Sequence, residues 1–291
     1  MRKKVVSALV GCLIIILGLL FNLFFFAEKG FRVIFFDVGQ GDSALIQFDD
    51  GAKMLVDCGP NRKVLTKLGK YLPFYDRTID YLLITHPDLD HYGGCADVLK
   101  RYEVKNIITN GAKKEFDAYW QVWYRYQQEE RAVASVISGP KELAFAGSEL
   151  NFLAPDPALG IDTKDGDYNN RSIVFRLSRA STTIMFTGDM EEPLEQALLA
   201  KYCSSQNTPP PVPPLIGEGC TALRSDILKV GHHGSDSSTS AEFLRAVNAD
   251  KAIISVGKNR YGHPSLRVLK KLERAAAEIL RTDEIGDIIM K

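Results

Sequence analysis

All five histidines of the chain fall in three short segments, and each segment follows a predicted strand. His86 and His91 lie in Thr85-His86-Pro87-Asp88-Leu89-Asp90-His91, His232 and His233 in Gly231-His232-His233-Gly234-Ser235, and His263 in Tyr261-Gly262-His263-Pro264. Histidines that only pack or solvate would scatter. Five of five beside Gly, Asp or Pro in strand-end loops point to a metal site, and to a fold that carries strand ends distant in sequence to one place. The first segment offers two imidazoles and two carboxylates within six residues. Two divalent ions a few ångströms apart can share a bridging carboxylate. Asp189, again after a strand and a glycine, is the candidate bridge. Mixed His/carboxylate ligation suits Zn, and the oxygen content also admits Mn. A solvated acidic turn would explain Asp88 and Asp90 but not the histidines that flank them.

The rest of the sequence reads as a layered α/β or α+β fold. Residues 31–48 and 51–58 give short strands around Gly-rich turns, and 79–85 a strand ending in the His-Asp cluster. Strands are expected near 104–109, 134–138, 149–154, 227–230 and 252–256, with a hairpin at 172–177 and 182–187. Helices are expected at 63–72, 96–102, 113–134, 194–202, 241–247 and 265–278. On the 113–134 helix Phe116, Tyr119, Trp120, Trp123 and Tyr124 form one stripe, read as core packing with one or two rings at a cleft rim.

Val5–Ala27 is uncharged, and as a helix it would reach roughly 34 Å, enough to cross a bilayer core. Arg2, Lys3 and Lys4 precede it, which puts the N-terminus in the cytoplasm and residues 28–291 outside. Residues 1–27 are therefore read as an uncleaved single-pass anchor in the cytoplasmic membrane. A cleaved signal peptide and a lipoprotein signal at Cys12 are the competing readings. The chain has 36 basic and 36 acidic residues; the first 27 residues hold three of the bases and no acid, so residues 28–291 carry −3. Nucleic-acid binding through bulk positive charge is thereby excluded, and only a local basic groove would serve. Cys203 and Cys220 bracket a Pro-rich insertion, 203–220, which a disulfide would clip shut. Cys58 and Cys95 are read as buried thiols or as a second pair.

His86-x-Asp88-x-Asp90-His91 resembles the His-x-His-x-Asp-His motif of the metallo-β-lactamase superfamily, with Asp88 where a His is usual. That variant looks like the hydrolase domain of the ComEC competence proteins. Asp37-Val38-Gly39-Gln40-Gly41-Asp42-Ser43, Val56-Asp57-Cys58-Gly59, Asn169-Asn170-Arg171-Ser172, Thr187-Gly188-Asp189, His232-His233-Gly234-Ser235 and Asn259-x-Tyr261-Gly262-His263-Pro264 follow in the family's order. The resemblance implies an αββα sandwich of two mixed sheets with the metal site at one edge, spanning 28–291 as one hydrolase domain. It also implies two divalent ions, Zn or Mn. Asp90, His91 and His263 would hold one, His86, Asp88 and His232 the other, and Asp189 would bridge. His232 and His233 are interchangeable on sequence grounds. The family's third-motif His is missing, and Asn169 or Asn170 stands in its place. Asp57 is expected to orient a ligating His.

The resemblance implies hydrolysis of a phosphodiester. Single-stranded DNA is the family-based substrate, and the competence machinery the family-based partner. Asp90 would ligate metal and take part in catalysis, His233 would hold or donate a proton, Asn170 would touch the reacting group, and Arg171 would clamp a phosphate. The −3 charge keeps a small or cell-envelope phosphodiester, such as a phosphocholine ester, as an alternative. A non-enzymatic binding module with a vestigial site is the third reading.

Overall fold

The computed structural model describes residues 9–18, 30–114, 117–129, 132–161, 167–203 and 220–291. Its first sheet is built from β1 (Arg32–Phe35), β2 (Ala44–Gln47), β3 (Lys53–Val56), β4 (Thr78–Leu83), β5 (Glu103–Thr109) and β6 (Val133–Val136). The second contains β7 (Lys141–Phe145), β8 (Ser148–Ala154), β9 (Val174–Arg179), β10 (Thr182–Phe186), β11 (Ile227–Lys229), β12 (Lys251–Ile254) and β13 (Glu278–Arg281). The last strand, β14 (Ile288–Met290), returns to the first sheet and pairs antiparallel with β1. The strand orders are β14-β1-β2-β3-β4-β5-β6 and β13-β12-β11-β10-β9-β8-β7.

Alternation along the strands explains the layering. Val33, Phe35, Ile46, Met54 and Val56 share one buried cluster with Phe152, Phe175, Ile184 and Phe186 of the other sheet, and the Phe35, Phe175 and Phe186 rings stack at 4.6 and 5.5 Å. The residues between them, Ile34, Leu45 and Leu55, face out and are covered by Val64, Leu68, Val98, Trp120 and Trp123 from the helices. The second sheet is covered in the same way by Leu194, Leu198, Phe243, Leu244, Val268 and Leu272. The result is the expected αββα sandwich.

Several expectations shift. The aromatic helix spans Ala118–Glu129, with Trp120 and Trp123 buried. Tyr119 and Tyr124 are 65% and 37% exposed, so the stripe divides, and Phe116 lies outside the described residues. The helix expected at 265–278 runs Leu266–Arg274 and stops before Glu278, because Ala276 turns left-handed (φ 56°) and the chain re-enters the second sheet as β13. Strands β7, β13 and β14 were not anticipated; β7 is a half-exposed arm of a hairpin. Both cysteine pairs are disulfides: Cys203–Cys220 and Cys58–Cys95. Residues 204–219 lie outside the described residues, as do 1–8 and 19–29, which include most of the expected anchor; residues 9–18 are helical. Among the described residues no helix is long and apolar enough to cross a membrane.

Candidate metal centre

The carboxyl ends of β3, β4, β10, β11 and β12 meet at one edge of the sandwich and deliver Asp57, His86–His91, Asp189, His232–His233 and His263 there. This is where ligands gather in sheets with parallel strands, because the loops leaving those ends project together. Ligand atoms of Asp90, His91, Asp189 and His233 all lie within 4.8 Å of one another. His91 Nε2 is 3.2 Å from Asp189 Oδ1, and His233 Nε2 is 3.2 Å from Asp90 Oδ2 and 3.5 Å from Asp189 Oδ2.

The His91 and His233 rings are fixed from behind. His91 Nδ1 donates to Asp57 Oδ2 at 2.8 Å, and the Thr85 N–H and hydroxyl donate to the same carboxylate at 2.8 and 2.7 Å. With Nδ1 donating, Nε2 is the free lone pair, and it faces the cluster. His233 Nδ1 lies 2.9 Å from the Ser255 carbonyl and 3.2 Å from Asp42 Oδ1, and Lys229 Nζ lies 2.6 Å from the other Asp42 oxygen. Asp57, His232 and His233 all take positive φ (55°, 46° and 53°), a backbone cost that side chains other than glycine meet mostly at functional loops. Gly41 has no room for a side chain, because a Cβ there would stand 2.3 Å from the Asp90 carbonyl.

The donor set suits a divalent cation. His86 Nε2, His91 Nε2 and Asp189 Oδ1 are buried and have no hydrogen-bond partner, a costly state for groups aimed at nothing. The charge balance agrees. Burial pushes the Asp189 carboxyl up, but His233, His91 and His86 outweigh it and leave it well below the usual range. Burial pulls His233 down, and Asp189, Asp42 and Asp90 more than reverse this and raise it to about 10. The carboxylates thus demand positive charge, which protons on imidazole or a bound cation can provide.

The pattern of the metallo-beta-lactamase superfamily matches residues 36–258. The chain belongs to that superfamily. This metallo-beta-lactamase domain is 30% identical over 274 residues to ComE operon protein 3 of Bacillus subtilis, a match covering 87% of the chain and 32% of that protein. It is 28% identical over 261 residues to competence protein ComA of Neisseria gonorrhoeae, covering 89% and 32%. The chain thus spans about a third of the length of these relatives. Among solved structures it resembles CmlA, a diiron beta-hydroxylase from Streptomyces venezuelae, with TM-score 0.56 and 12% identity over 91% of this chain and 55% of that one.

Within the metallo-beta-lactamase domain the predicted residues separate into a tight group and a rim. His233, expected as the proton carrier, stands in the tight group, and His263, expected beside Asp90 and His91, does not. The Ser255 and Asp42 contacts turn the His233 ring inward, while the His263 ring packs 5.4 Å from that of His232. His86 Nε2 is 3.8 Å from Asp189 and 3.4 Å from Asp88. Asp88 also pairs with Lys114, and His86 and Lys114 outweigh burial to keep its carboxyl well below the usual range. His232 Nε2 lies 4.0 Å from Asp189, and its Nδ1 is held 3.0 Å from Glu191 Oε1. Asn170, expected to touch the reacting group, instead accepts the Glu191 N–H at 3.2 Å, and Asn169 reaches the Glu191 carboxylate at 3.3 Å. The segment that lacks the family's histidine therefore positions a glutamate. The Arg171 guanidinium lies 6.0 Å from the Tyr168 ring, on which Lys114 also sits.

Sequence reasoning missed Glu191, Thr85, Lys114 and Lys229. Glu191 is two residues after Asp189, and its proximity was a usable signal. Lys114 and Lys229 carry no motif, and only the fold brings them to Asp88 and Asp42.

Proposed function

We propose that the chain is a metal-dependent phosphodiesterase that acts on single-stranded DNA outside the cytoplasmic membrane. The observation that carries the hydrolase reading is the convergence of unpartnered His86, His91 and Asp189 atoms with Asp90 and His233. The resemblance to competence proteins supports the nucleic-acid substrate. Two disulfides and the Arg2-Lys3-Lys4 segment before the apolar stretch support an oxidising compartment beyond the membrane.

Asp90, His91, Asp189 and His233 would hold one divalent ion, Zn or Mn, and His86 and Asp88 would contribute to a second beside Asp189. Such ions supply Lewis acidity toward a phosphoryl oxygen and toward water. The chain's own part is separable. Asp57 and Asp42 fix the imidazole orientations. His232, held by Glu191 and 24% exposed, would carry a proton to the leaving oxygen. Arg171 at the rim offers a fork for a non-bridging phosphate oxygen.

The test uses the purified 291-residue chain: bound metal is measured, and bis(p-nitrophenyl) phosphate and labelled single-stranded DNA are assayed with Zn or Mn. Turnover abolished by Asp90→Ala and by His91→Ala is expected. Absence of both metal and turnover would leave a binding module. Turnover of the small diester without DNA cleavage would move the substrate to a small or envelope phosphodiester.

A further inference from the structure

Outside the metal centre, the first sheet's helical layer carries a groove of about 560 Å³ whose walls include Asn61, Arg62, Lys63, Arg77, Arg101 and Tyr102. None of the described residues lining it is a carboxylate. It lies between the start of the Lys63–Tyr71 helix and the residues that follow the Cys95–Leu99 helix. Arg62, Arg77 and Arg101 are exposed. Arg77 rests on the Tyr102 ring at 5.4 Å and donates to its hydroxyl, which fixes that guanidinium at the far end. Lys63 reaches out to Asp37, so the arginines are the groove's available cations. Residues 28–291 carry −3 overall, which makes this a local concentration of charge against the trend of the domain.

The groove adjoins the metal centre. Pro60 packs against Gly41 and Gly93, beside Asp90, and the Asn61 carbonyl abuts Gly94, so closely that a Cβ on Gly93 or Gly94 would overlap them. Asp57, which holds His91, is five residues from Arg62, at most about 18 Å of extended chain. Asn61 and Arg62, which follow this segment, are exposed and line the groove. Three guanidinium groups lining one groove match a chain of phosphates better than they match one small anion.

We propose that this groove is a track for the sugar-phosphate backbone of single-stranded nucleic acid, carrying the strand away from the metal centre. The proposal rests on the phosphodiesterase reading and names a second binding region for its substrate. A polymer anchored on Arg62, Arg77 and Arg101 would be held independently of metal. Affinity for oligonucleotides should therefore grow with length and survive chelation.

The experiment measures fluorescence anisotropy of labelled oligothymidylates of 5 and 20 nucleotides with the 291-residue chain in EDTA, across a salt series. The wild-type chain should bind the longer strand more tightly. Arg62→Glu/Arg101→Glu should weaken it at least tenfold and flatten the log–log salt slope by ~1.4, at about 0.7 for each phosphate that is no longer neutralised. Arg245→Glu/Arg274→Glu, an equal charge change on helices of the other sheet's outer layer, should leave affinity within twofold of wild type. Thermal melting of both variants confirms folding, and Arg62→Ala/Arg101→Ala, a smaller change, should show the same slope effect. Equal losses in the two charge-reversed pairs, or no loss in the groove pair, would overturn the track. Competition by poly(glycerol phosphate) as strong as by oligothymidylate at equal phosphate would overturn its assignment to nucleic acid. Hydrolysis of bis(p-nitrophenyl) phosphate by the wild-type chain reports separately on the phosphodiesterase reading, so the two can fail independently.

Discussion

Asp57 Oδ2 and His91 Nδ1 stand 2.8 Å apart across 34 positions of sequence. The pairing is reinforced by the Cys58–Cys95 disulfide, whose partners are adjacent to Asp57 and four residues after His91, and by the Cys58 N–H, which donates to the His91 carbonyl at 2.6 Å. The loop after β3 and the metal-binding turn are thus one stapled unit. Asp57→Asn keeps a side chain that tolerates the positive φ and removes the charge behind His91. Metal affinity should fall by ~10–100-fold, read by competition with a chromogenic chelator, while the melting temperature of the metal-free chain changes little. Unchanged metal affinity would mean that Asp57 serves only the N–H and hydroxyl of Thr85.

Glu191 acts on His232 from outside the tight group of ligands. Glu191→Gln should keep bound metal near the wild-type amount and lower kcat on bis(p-nitrophenyl) phosphate by ~10²-fold, with KM little changed. Metal analysis and steady-state kinetics on one preparation decide this. Loss of metal in step with loss of rate would instead make His232 a ligand that Glu191 supports.

Asp42 and Lys229 form a buried ion pair behind His233, with side chains 8% and 3% exposed. Burial pushes the Asp42 carboxyl up, and Lys229 and His233 outweigh it and hold it at about 2. Removing one partner leaves a buried charge alone. Lys229→Met and Asp42→Asn should each cost ~3–5 kcal/mol, and the double variant less than their sum. Urea unfolding of the four proteins measures the coupling, and additive losses would show that the pair is not a unit.

Asp287 ties the C-terminal strand to the Asp37 loop, accepting from Lys67 at 2.6 Å, Lys70 at 2.8 Å, the Tyr71 hydroxyl at 2.9 Å and the Asp37 N–H at 2.9 Å. Burial raises its pKa, and these donors outweigh it and bring it to about 2. A carboxyl depressed on folding stabilises above its unfolded pKa near 4, and that contribution disappears as pH falls toward 2. Wild type should exceed Asp287→Asn by about 2 kcal/mol at pH 6, with the gap closing between pH 4 and pH 2. A gap that stays constant over that range, by urea titration at each pH, would refute the linkage.

The motifs themselves were legible because each is a short run whose chemistry is local. His86-x-Asp88-x-Asp90-His91 announces a metal turn, Asp189 after a glycine announces a strand-end carboxylate, and the short apolar runs at 31–48 and 51–58 around Gly-rich turns announce strands. The three missed strands illustrate the opposite case. β7, β13 and β14 span five, four and three residues, and each is stabilised by its neighbour rather than by its own pattern. β14 exists because β1 offers an open edge far upstream, and Asp287 fastens it there through the Asp37 N–H, 250 positions away.

Residue type and periodicity are properties of short stretches, so the kind of chemistry and the layered architecture could be read along the chain. Which histidine stands among the carboxylates could not. His232 and His233 are neighbours on one left-handed turn, and nothing in their order separates them. Ser255 and Asp42, distant in sequence, turn one ring inward, and Glu191 holds the other at the rim. The same holds for Asp88, whose partner Lys114 carries no motif of its own. Hydrogen-bond and ion-pair geometry depends on positions in space, and a one-dimensional pattern carries that only where the partners are also neighbours along the chain.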